Sequence, residues 1–353
     1  MSVILEKSKS YIDSLKKIKP IHSWQNIDDH YKNAINDPWY KNLVNIENLI
    51  TVNTVKFYDE KDIKTLHLPI TTGSISSPMG LGSDSSPVKV NLCNVDTYLA
   101  DSMQFMLEYG CRISETGCYY IMPSFRGENA DERHLCQFYH SEAEIPGTLE
   151  DVMGLVEEYL KYLSKKILEQ YSEELIEIAG DIEHIEKLVN LKGKIERITL
   201  DDAIKVLENN PKYISTHEAG FRVLNKYGEQ ALMDKFGGMV WITHFDTLSV
   251  PFYQAVDKNN IGKALNADLL MGIGEVVGSG ERHQNGDEVL EALRLHNVSS
   301  LEYEWYYNMK KDYPMKTSGF GLGIERFILW LFNHNDIRDC QVLPRFNGIN
   351  IVP

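Results

Sequence analysis

Between Ser124 and Ile145 the chain reads SFRGENADERHLCQFYHSEAEI, two strand-like runs on either side of a turn crowded with charge. A hairpin of this kind fixes an antiparallel pair, and the period of two along each strand sorts its side chains onto faces. Phe138, Glu142 and Glu144 share one face of the second strand, Arg126 and Glu128 share one at the end of the first, and the turn carries Arg133 and His134. If the charged faces coincide, the hairpin is a polar platform bearing one flat ring. Such a platform suits a nucleotide: the ring stacks beneath the base, a carboxylate accepts from the exocyclic amine, and cations meet the phosphates. Taken alone, the stretch also fits a solvated outer face with incidental ion pairs.

The rest of the chain sets the architecture around that hairpin. Strand-like runs at 89–92, 119–125, GGMVWITHF and ADLLMGIGEVVGSGER are separated by helical segments, the pattern of an α+β domain with a mainly antiparallel β-sheet flanked by helices. From Thr148, TLEDVMGLVEEYLKYLSKKIL supplies an N-cap and an acid three residues on. Val152, Leu155, Val156, Tyr159, Leu163 and Ile167 then fall on one helical face. A second capped helix starts at Thr199 in ITLDDAIKVL. The charged, amphipathic stretch at about 172–197 reads as a helical insertion at the surface, and residues 1–40 read as a helical N-terminal extension. LHLPI is predicted as a short strand carrying Pro69. The Gly, Ser and Pro of TTGSISSPMGLGSDSSPV mark a loop of a length that is usually functional or disordered.

Composition narrows the function classes. With 353 residues, 43% apolar and 25% charged, the chain can bury one large core. No apolar run approaches the roughly 18 residues of a membrane span, and MSVILEKSKSYIDSLKK has charges where a signal peptide is apolar, so a cytoplasmic location is expected. Cys93, Cys111, Cys118, Cys136 and Cys340 show no metal-site spacing and read as reduced core thiols. A net charge of −15 argues against a protein that works mainly by gripping polyphosphate, though a local basic face can coexist with it.

GFGLGIERFILWLF superficially matches a dinucleotide-binding pattern, but Glu325 and Arg326 follow the glycines where a small residue should pack, and no βαβ unit surrounds them. Gly319, Gly321 and Gly323 instead let a backbone pass close to a ligand. Ile324, Phe327, Ile328 and Leu331 bury the following helix, with Arg326 off that apolar face.

FRGENADERHLCQF resembles motif 2 of the class II aminoacyl-tRNA synthetases, GFGLGIERF resembles their motif 3, and LHLPI is similar to the end of motif 1. The resemblance is strongest to the aspartyl and asparaginyl subgroup, is supported by GIGEVVGSGER before motif 3, and runs from about residue 40 to the end, so 41–353 is expected to be the catalytic domain. Too few residues precede Pro69 to hold both that subgroup's anticodon-reading β-barrel and the motif 1 helix. SPMGLGSD and LPRFNGINIVP look most like the truncated archaeal paralogue, an ammonia-dependent asparagine synthetase.

The resemblance implies roles for individual residues. Arg126 would hold the α-phosphate and the substrate carboxylate, and with Arg326 would be catalytic. Glu128 would accept from the adenine amine, Arg133 and His134 would reach the β- and γ-phosphates, and Phe138 and Arg326 would sandwich the base above Gly321 and Gly323. Asp268 and Glu275 would bind Mg²⁺, an ion that favours a few carboxylates plus phosphate oxygens. Asp84, Gln104, Glu108 and Arg282 would bind the amino acid. Leu107 stands where aspartate-handling relatives have lysine, which favours asparagine or a neutral analogue over aspartate. Gln137 and the THFD stretch at His244–Asp246 also depart from the subgroup and suggest a changed pocket. The implied function is ATP-dependent, AMP-forming adenylation of that amino acid, with transfer to ammonia or another small amine; the alternative acceptor is tRNA or a carrier protein. The motif 1 helix implies a homodimer.

Overall fold

In the computed structural model, residues 18–77, 81 and 85–351 are described. Thirteen strands occur among them: β1 Lys64–Thr65, β2 Thr71–Thr72, β3 Val88–Leu92, β4 Val95–Leu99, β5 Cys118–Phe125, β6 Gln137–Pro146, β7 Arg197–Thr199, β8 Ile214–Thr216, β9 Arg222–Leu224, β10 Met239–Thr243, β11 Asn266–Met271, β12 Gly274–Glu281 and β13 Thr317–Gly323. Eight of them form one sheet in the order β1-β5-β6-β13-β12-β11-β10-β7. From β5 through β10 every neighbour is antiparallel, and only the edge pairs β1/β5 and β7/β10 are parallel. This is the α+β, mainly antiparallel sheet flanked by helices that the sequence predicts.

One face of that sheet is buried beneath two long helices, Pro38–Glu60 and Leu149–Ala179. Alternate strand residues Tyr119, Ala143, Phe320, Val277, Leu269 and Trp241 supply its side of the core, all 3% exposed or less. The predicted stripe Val152, Val156, Tyr159, Leu163 and Ile167 is completely buried against it. The Asp151 carboxylate accepts from the backbone N–H and hydroxyl of Thr148 at 2.8 and 2.7 Å, closing the start of that helix. The Tyr58 and Tyr119 rings stack 4.1 Å apart, joining the first helix to the sheet.

Three details differ from expectation. The 172–197 stretch is not a surface insertion. Its first residues continue the long helix past an irregular turn at Tyr171, and Leu175, Ile178, Ile185, Leu188 and Ile195 are buried in the main core. Its apolar positions recur at helical spacing and need a partner, so the exposed charges describe only one side. Pro69 lies between β1 and β2, because a residue without an N–H cannot extend the ladder. Finally, position 40 falls inside the Pro38–Glu60 helix, so the extension is continuous with the core; of its first residues only those from 18 onward are described.

Candidate active site

The opposite face of the sheet carries the polar chemistry. On β6, Phe138, His140, Glu142 and Glu144 alternate with residues turned toward the core, among them Ser141 and Ala143, both essentially inaccessible. Next to β6 the floor is glycine. Gly321 pairs across the ladder with Gly278, and Gly319 with Gly280. A Cβ on Gly319 would sit 1.8 Å from Glu144 Oε2, and one on Gly280 the same distance from Gln254 Oε1, so neither position has room for a side chain.

Two adjoining cavities of about 540 and 560 Å³ lie on this face. Arg126, His140, Leu224, Glu229, Glu275 and Gly321 line both and form the junction between them. The first cavity brings together the predicted nucleotide residues: Arg126, Glu128, Arg133, His134, Phe138, Gly321, Gly323 and Arg326 all border it. The Arg126 guanidinium lies 5.5 Å from the centroid of the Phe138 ring. Because β5 ends at Phe125, Arg126 and Glu128 sit in the connecting loop and not on the strand face as predicted. That loop is held by the Gly127 N–H donating to Ser86 O at 2.8 Å and the Ser86 N–H donating to Glu128 Oε1 at 2.5 Å.

The other donors and acceptors here are spoken for unevenly. Arg133 pairs with Glu229 at 2.6 Å, His134 with Asp131 at 2.9 Å, and Arg326 donates to the Glu275 carbonyl at 2.6 Å. Arg126 Nε, Arg133 Nε and Glu128 Oε2 are buried without a hydrogen-bond partner among the described residues. Orphaned groups of this kind are costly unless a ligand completes them, and two guanidiniums with one carboxylate fit phosphates and an amine. Asp268 on β11 and Glu275 on β12 both line the second cavity. Their carboxylate oxygens lie 3.8 and 2.8 Å from where a Gly278 Cβ would be, so the bare glycine leaves room for them to converge. Two carboxylates beside a cavity whose guanidiniums suit phosphates are a donor set that suits Mg²⁺.

Of the residues expected to bind the amino acid, Gln104 and Arg282 line the second cavity, and Leu107 lines it beside them. Gln104 Nε2 is buried without a partner among the described residues. Arg282 donates to Glu144 at 3.1–3.2 Å and to Gln254 Oε1 at 3.2 Å. Burial pushes the Glu144 carboxyl up to about 7 despite the adjacent guanidinium. Glu142 stays ionised: burial opposes its charge, but bonds from His140, Ser102 and Tyr120 hold its pKa below the usual value. Among the described residues, the cavity wall carries six carboxylates against three arginines and no lysine.

Glu108 is a correction. It is completely buried, ion-paired with an equally buried Lys310 and bonded by the Tyr306 hydroxyl at 2.6 Å, and it does not line the cavity. Its neighbour Leu107 takes the inward position because the helix Gln104–Ser114 turns the two about 100° apart. Asp84 lies outside the described residues. The THFD departure has a physical basis: Asp246 is bound by Arg222 and Lys263, which ties the β8–β9 hairpin across the second cavity. Sequence reasoning does not anticipate Glu229, His140 or this hairpin as parts of the site. For His140 a signal is present, since it alternates with Phe138 and Glu142.

A glycine-floored antiparallel sheet with a ring and arginines over one cavity and a mixed-charge cavity beside it defines the catalytic core of a class II synthetase. The match to the family described as tRNA synthetases class II (D, K and N) extends over residues 27–347, and the chain belongs to that family. It is 30% identical over 272 residues to an asparagine–tRNA ligase of Thermoplasma acidophilum, covering 74% of this chain and 60% of that protein. It thus spans somewhat over half the length of the curated relatives it matches, the ligase of Pyrococcus abyssi included at 56%. Asparaginyl-tRNA synthetase from Pyrococcus horikoshii complexed with asparaginyl-adenylate superposes with a TM-score of 0.82 at 23% identity, over 92% of this chain and 73% of the other. The Entamoeba histolytica enzyme with asparaginyl-adenylate gives 0.78 at 22% identity, over 97% and 74%.

Proposed function

We propose that the chain uses ATP to activate asparagine, or a close neutral analogue, as its acyl-adenylate, releasing pyrophosphate, and passes the acyl group to a terminal hydroxyl of a tRNA. The observation that carries this reading is the common cavity of Phe138, Arg126 and Arg326, opening at His140 and Glu275 into a second cavity lined by Gln104 and Arg282. ATP in the first cavity would stack on Phe138, with Arg126, Arg133 and Arg326 gathering its phosphates. The asparagine carboxylate would reach the α-phosphorus across the junction, where Arg126 stabilises charge growing on the phosphoryl oxygens. Mg²⁺ held by Asp268 and Glu275 would supply further neutralisation of the triphosphate.

The side-chain preference follows from electrostatics. Arg282 already donates to Glu144 and Gln254, Leu107 adds no cation, and carboxylates outnumber arginines six to three on this wall among the described residues, so an amide fits better than another carboxylate. The sequence placed ammonia or a small amine first as acceptor, whereas the curated relatives matched are asparagine–tRNA ligases, which supports the tRNA alternative. A homodimer through the Pro38–Glu60 helix, whose Val44, Val52 and Val55 are exposed, belongs to the same reading. So does a cytoplasmic site of action; among the described residues no helix is long and apolar enough to cross a membrane.

ATP–pyrophosphate exchange tests the first step. Asparagine is expected to support exchange better than aspartate, and Arg126→Ala to reduce it by about 10²-fold or more, the usual scale for a lost transition-state donor. Near-normal exchange in that variant would overturn the assignment, and a preference for aspartate would overturn the side-chain reading.

A further inference from the structure

Resting on this adenylate-forming reading, we propose that His140 is the general base of the transfer step, with Glu142 holding its ring. The anhydride of an acyl-adenylate must cross the junction of the two cavities, because its base and its amino acid occupy opposite sides. His140 is the histidine of that junction. Its Nδ1 lies 2.9 Å from Glu142 Oε1 and 2.9 Å from Ser124 Oγ, and its ring stands edge-on to Phe138 with centroids 4.7 Å apart. Both polar contacts fall on Nδ1, so Glu142 selects the tautomer with the proton there and leaves the Nε2 lone pair to accept.

The other titratable groups around it are less suited to take a proton. Glu229 is ion-paired with Arg133, Glu275 belongs to the candidate metal pair beside Arg326, and Arg126 is a permanent cation. Glu142 is enclosed by Ser102, Tyr120 and His140 itself. In the step, the acceptor oxygen forms an ester bond to the acyl carbon and its proton passes to Nε2. The bond from that carbon to the phosphate oxygen breaks, its electron pair leaves with AMP, and the imidazolium is balanced by the Glu142 carboxylate until it returns the proton to solvent.

The test uses the full chain with ATP, asparagine and Mg²⁺. It compares pyrophosphate exchange with single-turnover transfer to unfractionated tRNA, in wild type and His140→Gln, whose amide still donates to Glu142 but cannot accept a proton. Transfer is expected to fall about 100-fold, a typical general-base contribution, and to fall at least tenfold more than exchange. Equal losses in the two half-reactions would mark a structural residue and overturn the proposal. Transfer undiminished in His140→Gln would do the same. Absence of exchange in wild type with either asparagine or aspartate would instead sink the adenylate-forming reading itself.

Discussion

Replacing Lys310 with methionine decides whether Glu108 belongs to the protein's interior or to a ligand. Both side chains are completely buried; Lys310 Nζ also donates to the His283 carbonyl at 2.7 Å and lies 4.9 Å from the Tyr306 ring. Methionine fills nearly the same space, so the change removes a charge with little change of volume. Among the described residues, the Tyr306 hydroxyl is then the one hydrogen bond left to the Glu108 carboxylate. Stripping one partner from a buried ion pair costs about 3–5 kcal/mol, and the surviving hydroxyl bond places this case near the lower end, about 3 kcal/mol. Set against the roughly 5–15 kcal/mol that holds a domain folded, that is a large fraction. Urea unfolding at pH 7.5, followed by tryptophan fluorescence, should show a clear drop in midpoint. The double variant Glu108→Gln/Lys310→Met removes both charges while leaving an acceptor for Tyr306, and should recover most of the loss. A single variant within about 0.5 kcal/mol of wild type, the scale of an ordinary surface change, would refute the reasoning. So would a double variant no more stable than the single. Calorimetric binding of asparagine to the double variant should stay within about threefold of wild type; a tenfold loss, about 1.4 kcal/mol, would return Glu108 to the pocket.

Two further outcomes follow from the site's rim and floor. Asp246 has its pKa lowered from 3.8 to about 2: burial opposes the charge, but the bonds from Arg222 and Lys263 prevail. A depressed carboxylate contributes stability above its unfolded pKa and loses it as pH falls through the folded value, so Asp246→Asn should cost about 2 kcal/mol at pH 7. Thermal melts should show that gap closing between about pH 4 and pH 2; a gap independent of pH would contradict the ion network. Gly319→Ala would push a methyl group into the Glu144 carboxylate, displacing the group that Arg282 holds. It should destabilise the chain by about 1–3 kcal/mol and raise the asparagine KM in exchange assays, whereas an unchanged KM would show that the floor does not position that pair.

Much of the sheet face that carries the two cavities is legible in the amino-acid sequence, for a physical reason. Phe138, Glu142 and Glu144 are fixed relative to one another by strand alternation, and Gly319, Gly321 and Gly323 advertise a close approach whatever surrounds them. The capped helix after Thr148 is equally plain, because cap and apolar stripe are both local. What escapes depends on partners distant along the chain. Nothing near Glu108 announces Lys310, nothing near Arg133 announces Glu229, and the salt links of Asp246 run to Arg222 and Lys263. The 172–197 stretch is misplaced for the same reason, since its buried side is defined by a core assembled from elsewhere. His140 is a different kind of miss. Its alternation with other site residues is visible, but a histidine on a strand carries no signal of function until its neighbours are known.

The facing pairs Gly278/Gly321 and Gly280/Gly319 restrict how this protein can diversify. Where a bare backbone strip bears the substrate, amino-acid replacement has almost no foothold. New chemistry must therefore be recruited from the walls, at residues such as Leu107, His140 and the strap formed by β8 and β9. Descendants of such a scaffold should share an almost invariant floor and differ most around its edges.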